Sequence, residues 1–198
     1  MIGISVLIGL ISLFIFFQIY MTYSIKDIES YNYDLIKTYP NFEIRLYEEA
    51  LFSCVTIPRS THKESASKGF KVLAGYIFGG NSRSEKIAMT SPVEMIMDDS
   101  ITVKFMVPKS HNMENLPQPN NTNIKFKKEP SKYIAALKFG GFTDDNVIKS
   151  KITELKELLD NAQITPLNSF SYMGYNPPYQ LFNRRNEIVV EIDFSSVK

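Results

Sequence analysis

The side chains that could do chemistry in this 198-residue chain are few. It has one cysteine, Cys54, and two histidines, His62 and His111. A single thiol forms no intramolecular disulfide and cannot build a Cys-rich zinc site. Cys54 sits inside the apolar stretch Phe52 to Ile57. It reads as a small buried hydrophobe, because a thiolate nucleophile needs cationic neighbours. His62 falls in the first turn of an expected helix, where the positive end of the dipole favours the neutral ring. It reads as a surface histidine and is the one weak candidate for a metal ligand. His111 lies in a polar, proline-flanked loop and reads as solvated. Asp98-Asp99 read as a turn, and Asp144-Asp145 as a helix cap and first turn. The chain contains no G-x-S-x-G, G-x-G-x-x-G, G-x-x-x-x-G-K or H-E-x-x-H. No nucleophile–base pair emerges, so the expectation is a binding protein and not an enzyme. The 22 Lys and Arg against 21 Asp and Glu leave a net charge of +1, which argues against a nucleic-acid partner. Aromatic residues at 13% supply enough apolar area for a core and argue against disorder.

The elements that must position any site come in two rounds. Phe42 to Tyr47 alternates apolar with polar, the period of a half-buried strand, and Leu51 to Ile57 is rich in β-formers. Thr61-x-x-Glu64 is a capping box, and Ala66, Phe70, Leu73 and Ile77 recur at helical spacing until Gly79-Gly80. Val93 to Met97 and Ile101 to Val107 read as strands around the Asp98-Asp99-Ser100 turn. The same order then returns. Ile124 to Lys127 and Tyr133 to Phe139 are strands, Thr143 or Asp144 caps a helix through Leu159, and Ser169 to Tyr175 and Glu187 to Phe194 are strands. Lys125, Lys127, Lys128 and Lys132 read as a charged face or edge guard. The polar loop from Pro108 to Pro119 separates the rounds. The fold class expected is α+β: a duplicated strand-strand-helix-strand-strand unit. It would form one curved antiparallel sheet, or a distorted barrel, carrying two helices. A cleft on the pseudo-symmetry axis between the halves would be a default ligand site.

Residues 2–23 carry no charged side chain. At about 1.5 Å per residue, roughly 20 such residues cross a bilayer core of about 30 Å, and Tyr20 and Tyr23 suit an interface. No cation precedes the run and no small-x-small site follows it, so it reads as an uncleaved single-pass anchor. Lys26, Asp27 and Glu29 give no bias to its orientation. The organisation expected is an anchor at 1–23, a linker at 24–39 and the domain at 40–198.

Gly69 to Asn81, followed by Lys86 to Val93 with its Met89-Thr90-Ser91-Pro92-Val93, resembles the SOUL haem-binding protein family. Tyr39 to Arg45, Phe105 to Pro108, Gly174 to Pro178 and Arg184-Arg185-Asn186-Glu187 agree in the same order. The resemblance covers about residues 39 to 194. It implies a fold of two pseudo-symmetric halves, similar to that of gyrase-inhibitor-type regulators. It also implies haem or another tetrapyrrole in a hydrophobic groove beside the first helix of the domain. Carried over by position, the groove takes Ser67, Phe70, Lys71 and Ala74 from that helix, and Tyr175, Asn176, Pro177 and Pro178 from the loop before the last strand. Phe70 and Tyr175 would stack on the macrocycle, and Lys63, Lys71 or Arg184 would pair with propionates. One branch of the family has an axial histidine where this chain has Leu46. Another has basic residues where it has Ser67 and Gly75. The function expected is a membrane-anchored tetrapyrrole-binding protein, a haem carrier or buffer. The alternative is a module for another amphiphile or a protein partner on the same fold.

Overall fold

The two rounds of strand, strand, helix, strand and strand are present, and they interlock. The structure is a computed structural model that describes residues 2–24, 28–58 and 61–197. In chain order the elements are α1 (Ile2–Ser24), β1 (Tyr33–Thr38), β2 (Glu43–Tyr47), β3 (Ala50–Pro58), α2 (His62–Ile77), β4 (Val93–Met97), β5 (Ser100–Met106), β6 (Lys125–Glu129), β7 (Lys132–Phe139), α3 (Asp145–Asn161), β8 (Ser171–Gly174) and β9 (Asn186–Glu191). A 3-10 turn at Phe194–Ser196 follows. The nine strands form one curled antiparallel sheet in the order β1-β2-β7-β9-β8-β4-β5-β3-β6. Apart from β1, that order is pseudo-symmetric about the β8·β4 pair. Each repeat lends its first strand to the other: β2 adds to β7, and β6 adds to β3. Neither repeat therefore owns a complete half of the sheet.

The local signals act where the sequence places them. Glu64 N–H donates to Thr61 Oγ1 at 3.3 Å to open α2, and Gly79 takes the left-handed conformation that ends it, at φ +108°. Asp144 caps α3, accepting from Val147 N–H at 2.9 Å. The lysine-rich β6 is an edge strand of the sheet. Both α2 and α3 lie on one face, over a core that includes Ile44, Leu73, Val103, Phe105, Leu155 and Ile188. α2 approaches β5 so closely that a Cβ on Gly69 would overlap the Val103 side chain. Gly69→Ala is expected to destabilise the protein by about 1–3 kcal/mol through overpacking. Val103→Ala in the same chain should recover part of that loss, as read from denaturant midpoints. Additive losses would refute the contact.

Two expectations need correction. The linker expected at 24–39 contains strand β1, which pairs with β2 along its length. Alternation there is hidden by a register shift between Leu35 and Lys37. The expected membrane crossing at residues 2–23 is a helix, α1, of 23 residues. Among the described residues, however, no helix is long and apolar enough to cross a membrane. The side chains of residues 2–6, 8, 19 and 21–24 lie outside the described residues. Leu7, Leu10, Leu13, Phe16, Phe17 and Tyr20 of α1 are exposed.

Candidate functional site

The expected groove residues fall on two sides of the sheet. Phe70 stands on the outer side of α2, partly exposed, with its ring edge-on to Phe105 at 5.3 Å. Ser67 and Lys71 flank it in the open, Lys63 is exposed one turn earlier, and Ala74 is buried against the core. A Cβ on Gly75 would meet nothing, so that part of the helix surface is bare. Tyr175 leaves the end of β8 toward the opposite face. Its hydroxyl donates to Glu187 Oε2 at 2.7 Å and its ring lies under the Arg185 guanidinium at 4.0 Å. Burial, then the charge of Glu187, pushes the Tyr175 hydroxyl well above its ordinary value, so it stays a donor. Phe70 and Tyr175 are therefore not brought together, because one joins the helix side of the sheet and the other its concave side. Asn176 and Pro177 are half-buried and Pro178 is exposed. Asn176 Oδ1 accepts from Arg185 N–H at 2.6 Å. Arg184 spends Nη1 on the carbonyls of Pro177 and Gln180, at 2.8 and 2.7 Å. It braces the loop instead of standing free for a propionate.

The concave face carries two networks that the sequence reading missed. Arg45 and Glu187 form a bidentate pair across β7, at 2.8 and 3.1 Å, with both side chains buried. Burial alone would raise the Glu187 carboxyl, but Arg45 first, then Arg185, hold it below its ordinary value. In the pseudo-symmetric place, Lys104 and Glu129 pair across β3 at 2.7 Å, and Lys104 also donates to Glu94 at 2.6 Å. The duplication thus keeps the ion pair and inverts its sign. Burial again opposes the charge on Glu129, and Lys104 and Lys132 bring its carboxyl down to about 2. Lys104, Glu94, Glu129 and Lys132 line a cavity of about 300 Å³ with Ser171, Met173 and Tyr31. The buried Tyr31 hydroxyl has no hydrogen-bond partner among the described residues. Nothing in composition marked these residues. Arg45 and Lys104 occupy the polar beats of alternating strands, which reads as solvent-facing until a second buried face is known.

The remaining candidates have structural places. Burial first, against the pull of Lys104, pushes the Cys54 thiol up to about 11, so it is no thiolate. His62, expected at the surface, is buried. Its ring meets Tyr172 edge-on at 4.9 Å and its backbone N–H donates to Asp145 Oδ1 at 2.8 Å. Burial lowers its ring pKa despite Asp145 and Asp144. His111, expected to be solvated, lies 3.1 Å from Glu85 through Nε2 and 3.0 Å from Ser110 through Nδ1. Among the described residues no three His, Cys, Asp or Glu side chains stand where they could hold a metal ion.

An interlocked α+β duplication with helices on one face and a charged trough on the other defines the class of domain. The fold is similar to that of the EcmrR C-terminal domain, with a TM-score of 0.60 at 11% identity over 81% of this chain and 98% of that one. It is also similar to a hydrolase from Listeria innocua, with a TM-score of 0.55 at 9% identity over 77% and 92% of the two chains. Likeness at that level concerns the fold alone. The family follows from sequence. Residues 28–191 match the family model described as SOUL heme-binding protein, and the chain belongs to that family. It is 24% identical over 157 residues to Heme-binding protein 2 of Mus musculus, covering 75% of this chain and 76% of that protein. To Heme-binding protein 1 of Xenopus laevis it is 24% identical over 155 residues, covering 74% and 81%. Haem is the cofactor that this membership supports.

Proposed function

We propose that this protein binds a tetrapyrrole on the outer surface of α2 and is held at a lipid bilayer by α1. Family membership over residues 28–191 is the observation that carries the first part. The exposed surface of α2 fits an amphiphilic macrocycle in part. Phe70 and, at the end of the helix, Phe78 offer exposed aromatic faces, while Lys63 and Lys71 offer cations for carboxylates. An iron ligand is not offered by either histidine, since His62 is buried against Tyr172 and His111 pairs with Glu85. Tetrapyrrole recognition here is by the ring and its propionates, and the role is carriage or buffering, not catalysis. The second part rests on α1, 23 residues without a charge and with apolar side chains exposed around its circumference.

Recognition without iron ligation makes a specific prediction. Ferric haem and metal-free protoporphyrin should bind the full chain in lipid nanodiscs with one-to-one stoichiometry and affinities within a few-fold of each other. Phe70→Ala should weaken both by about 3- to 10-fold, the worth of one aromatic contact of about 0.5–1.5 kcal/mol. Absorbance titration against empty nanodiscs reads both. A six-coordinate haem spectrum with much tighter haem binding would overturn the ligation argument. Unsaturable binding of both would overturn the tetrapyrrole reading in favour of another amphiphile.

A further inference from the structure

The loop between β8 and β9 is built inside out. The polar side chains of Asn176, Gln180 and Arg184 are turned inward. Gln180 is 1% exposed, accepts from Asn176 Nδ2 at 3.0 Å and donates Nε2 to the carbonyl of Phe182 at 2.8 Å. Arg184 closes the loop from the same side through the carbonyls of Pro177 and Gln180. Its apolar groups are turned outward: Tyr179, Leu181 and Phe182 are exposed, Phe182 by 62%. Phe142, also exposed, joins them under the Arg184 guanidinium at 4.7 Å. A surface loop ordinarily does the reverse.

The same loop is tied to α1. Gln18, a polar residue in the second half of the helix, is 6% exposed. Its Nε2 donates to the Tyr179 carbonyl at 3.3 Å, and its Oε1 accepts from Leu181 N–H at 3.1 Å. A side-chain amide bonded to both backbone groups fixes the loop at one height on the helix. The apolar side chains of the loop and Phe142 then adjoin a helix whose neighbouring Phe14, Phe16, Phe17 and Tyr20 are also bare.

We propose that Tyr179, Leu181, Phe182 and Phe142 form a docking surface for a phospholipid bilayer, set by Gln18 at the depth where α1 meets it. The proposal rests on the reading of α1 as lipid-bound and goes beyond it, because the folded domain itself then touches the membrane. Aromatic and aliphatic side chains with their backbone polar groups satisfied suit the boundary between headgroups and acyl chains.

The chain contains no tryptophan, so each single substitution is its own reporter. Phe182→Trp, Phe16→Trp and Leu167→Trp are placed in full-length protein reconstituted into phosphatidylcholine vesicles with or without brominated acyl chains. Leu167 is exposed and precedes β8, whereas the loop follows it, so it reports on the far end of that strand. The expected result is blue-shifted emission with loss of most of its intensity to bromolipid at positions 182 and 16, and an unquenched signal at 167. Quenching at 16 without quenching at 182 would overturn the docking surface and leave the α1 reading standing. No quenching at either would overturn both. Quenching at all three would overturn the docking surface as a specific face of the domain.

Discussion

Replacing Glu187 by alanine is expected to destabilise the protein by about 3–5 kcal/mol. The residue is buried, and its carboxylate takes two bonds from Arg45, two from Arg185 and one from Tyr175. Alanine would leave Arg45 in the sheet with only Glu43 as a carboxylate partner, and that carboxylate stands partly in solvent. A buried guanidinium without its bidentate partner loses more than the pair was worth, since its desolvation is no longer offset. Removing both charges should cost much less. The double variant Arg45→Met, Glu187→Leu should be closer to wild type than Glu187→Ala, because Arg185 is partly exposed and can turn to water. Urea midpoints with unchanged slopes read both comparisons. A Glu187→Ala cost below about 1 kcal/mol would mean that the network has little bearing on stability.

That network shows why the concave face was illegible in the sequence while the fold was not. Capping residues, glycine stops and apolar periods are local, so Thr61, Gly79 and Asp144 placed α2 and α3 within a residue or two of their positions. The repeat of element types was legible for the same reason. What a single pass along the chain cannot reveal is which strand stands beside which. The lending of β2 and β6 between repeats brings Arg45 beside Glu187, 142 positions away, and Lys104 beside Glu129, 25 positions away. In sequence each is a polar beat in an alternating strand, and alternation reports a different environment on each face without saying that both are dry. β1 was missed because its bulge breaks the alternation by which strands are recognised.

The candidate groove was legible only through family resemblance, and the structure shows where spacing misleads. Phe70 and Tyr175 are both aromatic, yet Phe70 stands on α2 over one face of the sheet while strand parity sends Tyr175, just past β8, to the other. Met173 and Tyr175 follow the concave face, while Tyr172 and Phe105 follow the helices. The signal available in sequence was the Arg185-Asn186-Glu187 run. A carboxylate that opens an apolar run, two positions from an arginine, is a better sign of a buried network than of a propionate site.

Lys104→Met should reverse how stability responds to acid. In the wild type the Glu129 carboxyl is held at about 2, against an ordinary value of 4.5. A depressed carboxyl contributes stability above its unfolded value and loses it as pH falls through the folded one. Wild type should therefore weaken between about pH 4.5 and 2, and the lowered Glu187 carboxyl acts in the same sense. Lys104 lies between Glu94 and Glu129 with its ammonium Nζ over the Phe52 ring at 4.2 Å, and methionine keeps an aliphatic stem of similar length while removing the cation. Glu129 keeps Lys132 at 2.5 Å, but no other cation is seen pairing with Glu94 among the described residues. At neutral pH the variant should lose about 3–5 kcal/mol, the cost of a broken buried pair. With Lys104 gone, the burial that opposes the charge on Glu129 is less offset, and the trough takes up a proton that the unfolded chain does not hold at that pH. The folded state then binds more protons than the unfolded one, so stability must rise as pH is lowered from 7 toward the ordinary carboxyl range. Urea midpoints at pH 7, 6 and 5 should be nearly flat for wild type and should climb for Lys104→Met. Parallel profiles would show that water already screens the trough and that Lys104 is not what keeps its carboxylates charged.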